Sequence, residues 1–79
     1  MKIEIYLDTK DDLILMPDLS NWFTENNIMP RIGESLIIPE EDGNRNWKEE
    51  RKHKGSTCWV VTNVFYEPNE KICVYFEDK

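Results

Sequence analysis

Alanine is absent from this sequence of 79 residues. Alanine is the strongest helix former, so its absence weakens the case for long helices. Isoleucine and valine together number twelve against five leucines, a balance that favours pleated strands. We therefore predict a mainly β fold with a small α component.

Cysteine is scarce, and no apolar run approaches the length of a membrane-spanning helix. Two cysteines are too few for the disulfide framework of a small secreted protein. The N-terminal stretch lacks the apolar segment of a signal peptide, and a membrane span needs about 20 apolar residues. We expect an intracellular, cytoplasmic protein that does not associate with membranes.

Residues that hold metals or carry out catalysis are few and scattered. His53 is the only histidine, and Cys73 lies far from Cys58 in the sequence, which is not the short ligand spacing of a zinc site. The carboxylate pairs lie in hydrophilic stretches, and the three isolated glycines form no phosphate-binding motif. We predict a non-enzymatic protein without a cofactor.

The net charge limits which partners the protein can bind, and the chain length limits the size of its core. Sixteen acidic residues against ten basic ones give a net charge of −6, which disfavours nonspecific binding to nucleic acid or to an anionic membrane. A chain of this length buries a small core, to which the nine aromatic residues must contribute strongly. We expect residues 1–79 to form a single domain.

The N-terminal half begins with two strand patterns. Residues 2–7 alternate strictly between apolar and polar side chains, which is typical of a half-buried strand. The apolar members are Ile3, Ile5 and Leu7. A second short apolar run at residues 13–16 follows a polar turn, and we expect it to pair with the first strand.

A short helix is predicted near residues 18–26. Pro17 ends the preceding apolar run, and Asp18 or Ser20 could cap the helix at its N-terminus. Asn27 suits the left-handed conformation in which helices commonly end. One apolar stripe results, formed by Leu19, Trp22 and Phe23.

The middle of the chain contains a turn, a strand and a long polar segment. Gly33 suits a turn that requires positive φ, and the apolar run after it predicts a strand of about five residues bounded by Pro39. Residues 40–56 are polar except for Trp47. Structureless insertions of this length are uncommon in compact domains and are usually functional or mobile, so we expect a flexible insertion there.

The C-terminal third, residues 57–77, predicts a β-hairpin. Two runs of β-branched and aromatic residues flank a loop at residues 67–70 that contains Pro and Asn. A single bulge near Thr62 and Asn63 would place the apolar residues of both strands on one face. Cys73 is then expected opposite Val64.

The two faces of this hairpin have different predicted roles. The inward face would contribute Trp59, Val61, Val64, Tyr66, Ile72, Val74 and Phe76 to the core. The other face would carry Phe65, Cys73 and Tyr75, together with Tyr6 from the first strand. An apolar outer face needs cover, and we expect the helix to supply it; a surface for self-association or for a partner is the alternative.

The order of these patterns resembles a small Src-homology-3-like barrel of the kind found in short bacterial and phage proteins. The resemblance covers about residues 29–77. It depends on the turn at residues 30–34, the apolar run 36–38 and the hairpin strands 59–66 and 72–76. Such barrels serve as peptide-binding, nucleic-acid-binding or scaffolding modules, so the resemblance implies a fold and no single function. The sequence thus predicts about five strands, as an antiparallel sheet or a small barrel, with one short helix.

The leading functional hypothesis is a small binding module that contacts a protein partner, or a second copy of itself, through an aromatic sheet face and the 45–54 loop. Nucleic-acid binding through the basic loop around Trp47 is one alternative, because an aromatic ring can stack on a base while cations hold phosphate. An acidic inhibitor that imitates nucleic acid is another. The candidate binding residues are Tyr6, Arg45, Trp47, Arg51, Lys52, Lys54, Phe65 and Tyr75.

Overall fold

The computed structural model describes residues 1–9, 11–39, 41–43 and 58–78, and the backbone of residues 45 and 46. These residues form a five-stranded sheet, a two-stranded ribbon and one helix, which confirms the mainly β prediction with about five strands and one short helix. The elements are β1 (Lys2–Asp8), β2 (Leu13–Leu15), α1 (Pro17–Asn26), β3 (Ser35–Ile37), β4 (Glu41–Asp42), β5 (Arg45–Asn46), β6 (Cys58–Glu67) and β7 (Lys71–Asp78).

The large sheet has the strand order β2-β1-β7-β6-β3 and is open, with β2 and β3 at opposite ends. The pairs β1–β2 and β6–β7 are antiparallel, as predicted, and β3 also pairs antiparallel with β6. The central pair β1–β7 is parallel, so the prediction of an antiparallel sheet is wrong at this pair. The first and last strands of the chain meet there, and parallel neighbours need a long crossover, which the intervening elements supply. The resemblance to a Src-homology-3-like barrel stays a prediction.

The core lies between one face of the sheet, called the inner face here, and the helix. Ile3, Ile5 and Leu7 are buried on this face, which confirms the alternation predicted for the first strand. Met16 and Phe23 complete the core from the helical side. The strands β6 and β7 contribute Trp59, Val61, Ile72, Val74 and Phe76. Each large apolar side chain buried in this way stabilises the fold by roughly 1.5–3 kcal/mol.

The helix α1 ends as predicted but begins differently. Asn27 has φ 52°, in the left-handed region, and its N–H donates to Thr24 O at 3.2 Å. Neither Asp18 nor Ser20 is the N-cap residue, so that prediction is wrong. The backbone N–H groups of Asp18 and Leu19 instead donate to the Asp42 carboxylate, at 2.8 and 2.9 Å. A carboxylate 24 residues away therefore takes the place of a local cap.

The predicted apolar stripe on α1 is only partly correct. Phe23 is buried and Leu19 packs partly against the core, but Trp22 is half exposed. The helix turns Ser20 and Thr24 toward β1 instead, since their hydroxyls bond to its backbone. This orientation leaves Trp22 on the solvent side.

The C-terminal hairpin matches the prediction in outline. Pro68 and Asn69 form a tight turn in which Glu70 N–H donates to Glu67 O at 3.0 Å. Asn69 has φ 67°, the positive value that position i+2 of a type II turn requires. The predicted bulge is confirmed, because the register shifts between Val61 and Asn63.

The hairpin register differs from the prediction by one residue. Cys73 pairs with Phe65, not with Val64, because the loop has three residues and Glu67 already pairs with Lys71. Tyr66 was predicted to be buried and is 67% exposed, since it lies next to the turn at the end of the strand. Val64 packs partly against the core.

The predicted flexible insertion at residues 40–56 lies largely outside the described residues. Its beginning is structured, because β4 and β5 pair around Gly43, which has φ 64°. Asp42 is 2% exposed, which the polar composition of the segment did not indicate. In the described part of the chain, no helix is both long and apolar enough to span a membrane.

Candidate functional site

Three aromatic side chains form a continuous row across the outer face of the sheet, the face opposite the helix. Tyr6 and Tyr75 are register partners on β1 and β7, and their ring centroids lie 5.4 Å apart in an edge-on arrangement. Phe65 on β6 packs against Tyr75 with a centroid distance of 5.0 Å. We call Tyr6, Tyr75 and Phe65 the aromatic row. Such tilted and edge-on pairs are favourable beyond the area they bury.

The helix does not cover the aromatic row. Its residue Phe23 packs into the inner-face core, on the other side of the sheet. The prediction that α1 is the cover for this face is therefore wrong. Phe65 is 49% exposed, and Leu15, the register partner of Tyr6 on β2, is also exposed. The outer face thus presents an apolar strip that crosses the strands.

A buried carboxylate organises the part of the outer face beside the row. Glu4 Oε1 accepts a hydrogen bond from the Tyr6 hydroxyl at 2.8 Å. The same oxygen forms an ion pair with Lys71 Nζ at 3.0 Å. Lys2 lies 3.5 Å from Oε2. The Cys73 thiol is 3.9 Å from Oε1. We call Glu4 and these four partners the Glu4 cluster.

The Glu4 cluster fixes the charge of its members. Burial raises the pKa of Glu4, but the hydrogen bonds from Lys71 and Tyr6 and the charges of Lys71 and Lys2 outweigh it, so the pKa lies below its ordinary value. Burial and the bond to Glu4 raise the pKa of Tyr6 to about 12. The bond to Glu4 raises the pKa of Lys71.

Cys73 follows the same trend. Burial, followed by the charge of Glu4, raises the pKa of its thiol. A thiol is nucleophilic only as the thiolate, so this environment makes Cys73 less reactive at neutral pH. With Glu4 ionised and Tyr6, Lys71 and Cys73 protonated, the cluster is suited to holding the Tyr6 ring in place and poorly suited to proton transfer at pH 7.

Charge is distributed unevenly along the outer face. Lys2 and Lys71 are register partners at one end of β1 and β7. Asp8 and Glu77 are register partners at the other end. The aromatic row lies between them, nearer to the acidic end. The face therefore has an apolar centre between an acidic margin and a margin where two lysines form ion pairs with Glu4.

The predicted site residues fall into three groups. Tyr6, Phe65 and Tyr75 lie together in the aromatic row. Only the backbone of Arg45 is described, in β5. The remaining predicted residues, Trp47, Arg51, Lys52 and Lys54, lie outside the described residues, so their proposed role stays a prediction.

Sequence reasoning missed Glu4 and Lys71. A glutamate in a strand that alternates between apolar and polar side chains is normally solvated, and Lys71 follows a turn in the sequence. The signal was nevertheless present, because Glu4 and Tyr6 are two positions apart in one strand and must share a face. What the sequence could not supply was the parallel register that brings β7 beside them.

No group of three or more His, Cys, Asp or Glu side chains that could hold a metal ion occurs among the residues that the structure describes. Comparison with protein-family models, with curated proteins and with solved structures found no match for this chain.

Proposed function

We propose that this protein is a non-enzymatic binding module that contacts a protein partner through the aromatic row, with the 45–54 loop as a second point of contact. The observation that carries the proposal is the packing of three rings into one strip on the sheet face that the helix leaves uncovered, with Phe65 half exposed and the two tyrosines partly exposed. Exposed contiguous apolar surface on a small domain commonly marks an interaction site.

The chemistry of the row fits protein recognition. Tyrosine is enriched at the energetic centres of protein interfaces, because its ring buries a large area with few rotatable bonds. The Tyr6 hydroxyl is held by Glu4, and its ring is held by Tyr75. A side chain that is already ordered loses less conformational entropy on binding, which favours affinity.

Charge suggests what kind of partner would bind. The chain carries a net charge of −6, and the aromatic row lies close to the acidic pair Asp8 and Glu77. A partner surface with an apolar centre and basic residues at its rim would complement both features. Electrostatic complementarity of this kind mainly increases the association rate and the specificity.

The test is affinity capture from the native cell type with wild type, Tyr75→Ala and Trp47→Ala baits. We expect a specific partner that wild type retains and that both variants lose. Trp22→Ala is the matched control, because Trp22 is a half-exposed aromatic residue on the helix, on the opposite side of the sheet. Circular dichroism should show that every bait is folded. Equal recovery of all partners by wild type and Tyr75→Ala would refute a role for the row.

The nucleic-acid alternative has a direct test with the same proteins. Labelled single-stranded DNA and RNA are titrated at low salt, where electrostatic binding is strongest. The proposal expects no binding at micromolar protein concentration. Binding that Trp47→Ala abolishes would favour the alternative and contradict the proposal.

A further inference from the structure

The C-terminal half of β6 forms an edge of the sheet that has no neighbouring strand in the described part of the chain. The strand β3 pairs only with residues 58–60, and the turn before β3 reaches as far as Val61. Beyond the bulge, residues 63–67 pair with β7 on one side only. We call residues 63–67 the open edge.

The direction of the backbone groups on the open edge follows from Val61. Val61 N–H donates to Glu34 O at 2.9 Å, and Val61 O accepts from Gly33 N–H at 3.0 Å, so both groups point away from β7. In a strand, residues whose side chains share a face also share this direction. Val61, Val64 and Tyr66 share the inner face, by their pairing with Phe76, Val74 and Ile72. The N–H and C=O groups of Val64 and Tyr66 therefore point outward from the sheet.

In the described part of the chain, the open edge has only two of the usual protections of an edge strand, the bulge beside it and the charge of Glu67. Proteins block such edges with proline, lysine or covering segments, because unpaired strands recruit other strands. Residues 63–67 contain neither proline nor lysine. Phe65 is 49% exposed and Tyr66 67% exposed, so apolar side chains accompany the unpaired backbone.

We propose that the open edge pairs antiparallel with the open edge of a second copy of this chain, about a two-fold axis at Phe65. In that register Val64 of each copy faces Tyr66 of the other, and Asn63 faces Glu67. The two Phe65 side chains are then neighbours, and the aromatic rows of both copies join into one strip. The proposal does not depend on the proposed function, since it is argued from the backbone groups of the open edge, although Phe65 belongs to both surfaces.

The sequence of the edge favours a second copy in this register. Aromatic side chains opposite β-branched ones are favourable cross-strand pairs, and like charges directly opposite are unfavourable. The Phe65-centred register forms two Val–Tyr pairs and opposes no like charges. A register centred on Val64 would draw the bulge at Thr62 into the new ladder, and one centred on Tyr66 would draw in Pro68, which has no N–H.

The expected dimer is weak. Five paired residues on each side bury less than the roughly 1,200 Å² of a standard stable interface. Each copy carries a charge of −6, so the copies repel one another at low salt. Added salt screens that repulsion and should strengthen the association. An interface held by ion pairs would instead be weakened by added salt.

The experiment is sedimentation of wild type, Asn63→Lys and Asn63→Asp over a concentration series up to about 1 mM, since weak association is detectable in that range. Asn63→Lys places two opposite-charge pairs with Glu67 across the axis, and Asn63→Asp places two like-charge pairs there. We expect the dissociation constant of the dimer to be lower for Asn63→Lys than for wild type and higher for Asn63→Asp, each by roughly two- to thirty-fold.

Controls separate this effect from general charge and from the outer face. Glu25→Gln changes the net charge by the same amount as Asn63→Lys, on an exposed helix position, and should change the dissociation constant by less. Leu15→Ala alters the outer face on β2, at the far side of the sheet from β6, and should leave dimerisation within about twofold. A monomer at every concentration, or a dimer whose constant responds equally to both Asn63 variants, would overturn the proposal.

Discussion

The two flanks of this sheet that lie beyond its short edge strands are finished in different ways. On β1, where β2 pairs only with residues 6–8, the helix supplies the missing partners. Ser20 Oγ accepts from Ile5 N–H at 2.8 Å, and Thr24 Oγ1 accepts from Ile3 N–H at 2.9 Å. Met16 N–H donates to Ile5 O at 2.8 Å. On β6, residues 63–67 have no corresponding partner among the described residues.

The contrast shows that hydroxyl side chains on a helix, together with one backbone bond at its N-terminus, can complete a strand edge. Residues four apart lie on one face of a helix, and residues two apart lie on one edge of a strand. The spacing of Ser20 and Thr24 therefore matches that of Ile3 and Ile5. Small hydroxyl residues allow the helix to approach closely enough to bond, and they leave that edge closed to other strands.

The largest loss of stability is expected when both hydroxyls at the β1 flank are removed, with Ser20→Ala and Thr24→Val together. The N–H groups of Ile3 and Ile5 then lose their acceptors, and an unsatisfied buried donor costs about 1–3 kcal/mol. We expect the free energy of unfolding to fall by about 2–4 kcal/mol, measured by urea denaturation. The controls are Thr24→Ser, which keeps the hydroxyl, and Asn21→Ala on the exposed side of the helix. Losses in the controls that equal the loss in the double variant would refute the role of the hydroxyls.

A smaller loss of stability is expected when the Asp42 carboxylate that caps the helix is removed. Asp42→Ala leaves the N–H groups of Asp18 and Leu19 without their acceptor, which should cost about 1–2 kcal/mol in the same denaturation experiment. Burial raises the pKa of Asp42 above its ordinary value despite these bonds. The cost of burying the charged carboxylate therefore offsets part of the stability that the two hydrogen bonds contribute. Glu41→Ala, at the exposed neighbouring position, should have little effect. If Asp42→Ala has the same free energy of unfolding as wild type, the Asp42 carboxylate does not stabilise the helix as a cap.

The Glu4 cluster gives a prediction that depends on pH. Burial raises the pKa of Glu4, but its bonds and neighbouring cations lower it below 4.5, the ordinary value. Between the two values the unfolded chain binds more protons than the folded one, so the stability that Glu4 contributes is complete above 4.5 and is lost as pH falls through the folded pKa. The difference in unfolding free energy between wild type and Glu4→Gln should therefore shrink on acidification. A difference that is constant from neutral pH to pH below 4.5 would contradict this account.

The smallest effect on folding is expected at the open edge. Tyr66→Lys replaces an exposed ring at a position that contributes little to the core, so the free energy of unfolding should change by no more than about 0.5 kcal/mol. The same variant should weaken dimerisation, because it removes both Val–Tyr pairs. A Tyr66→Lys protein that dimerises as well as wild type would show that the open edge is not used in the proposed register.

The sequence predicted what depends on local periodicity. Alternation placed Ile3, Ile5 and Leu7 in the core, and the change of alternation at Thr62 located the bulge. It could not predict the Asp42 cap, because a carboxylate in a polar segment gives no sign of which distant helix it will reach.

Two errors share a cause in tertiary context. The exposed Trp22 follows from how the helix is rotated on the sheet, and the uncovered aromatic row follows from the face of the sheet on which the helix packs. Hydrophobicity alone favoured packing Trp22 inward, but the hydroxyls of Ser20 and Thr24 set the orientation by bonding to β1. The binding role assigned to Trp47 and its basic neighbours is a prediction that only experiment can test.

Amide hydrogen exchange measured by NMR at low protein concentration tests the contrast between the two flanks most directly. The N–H groups of Ile3 and Ile5 are bonded to the helix, so they should exchange slowly, near the limit set by global unfolding. The N–H groups of Val64 and Tyr66 point outward and have no partner strand among the described residues, so they should exchange quickly and then gain protection as the concentration is raised. Equal protection of all four amides at low concentration would contradict the account.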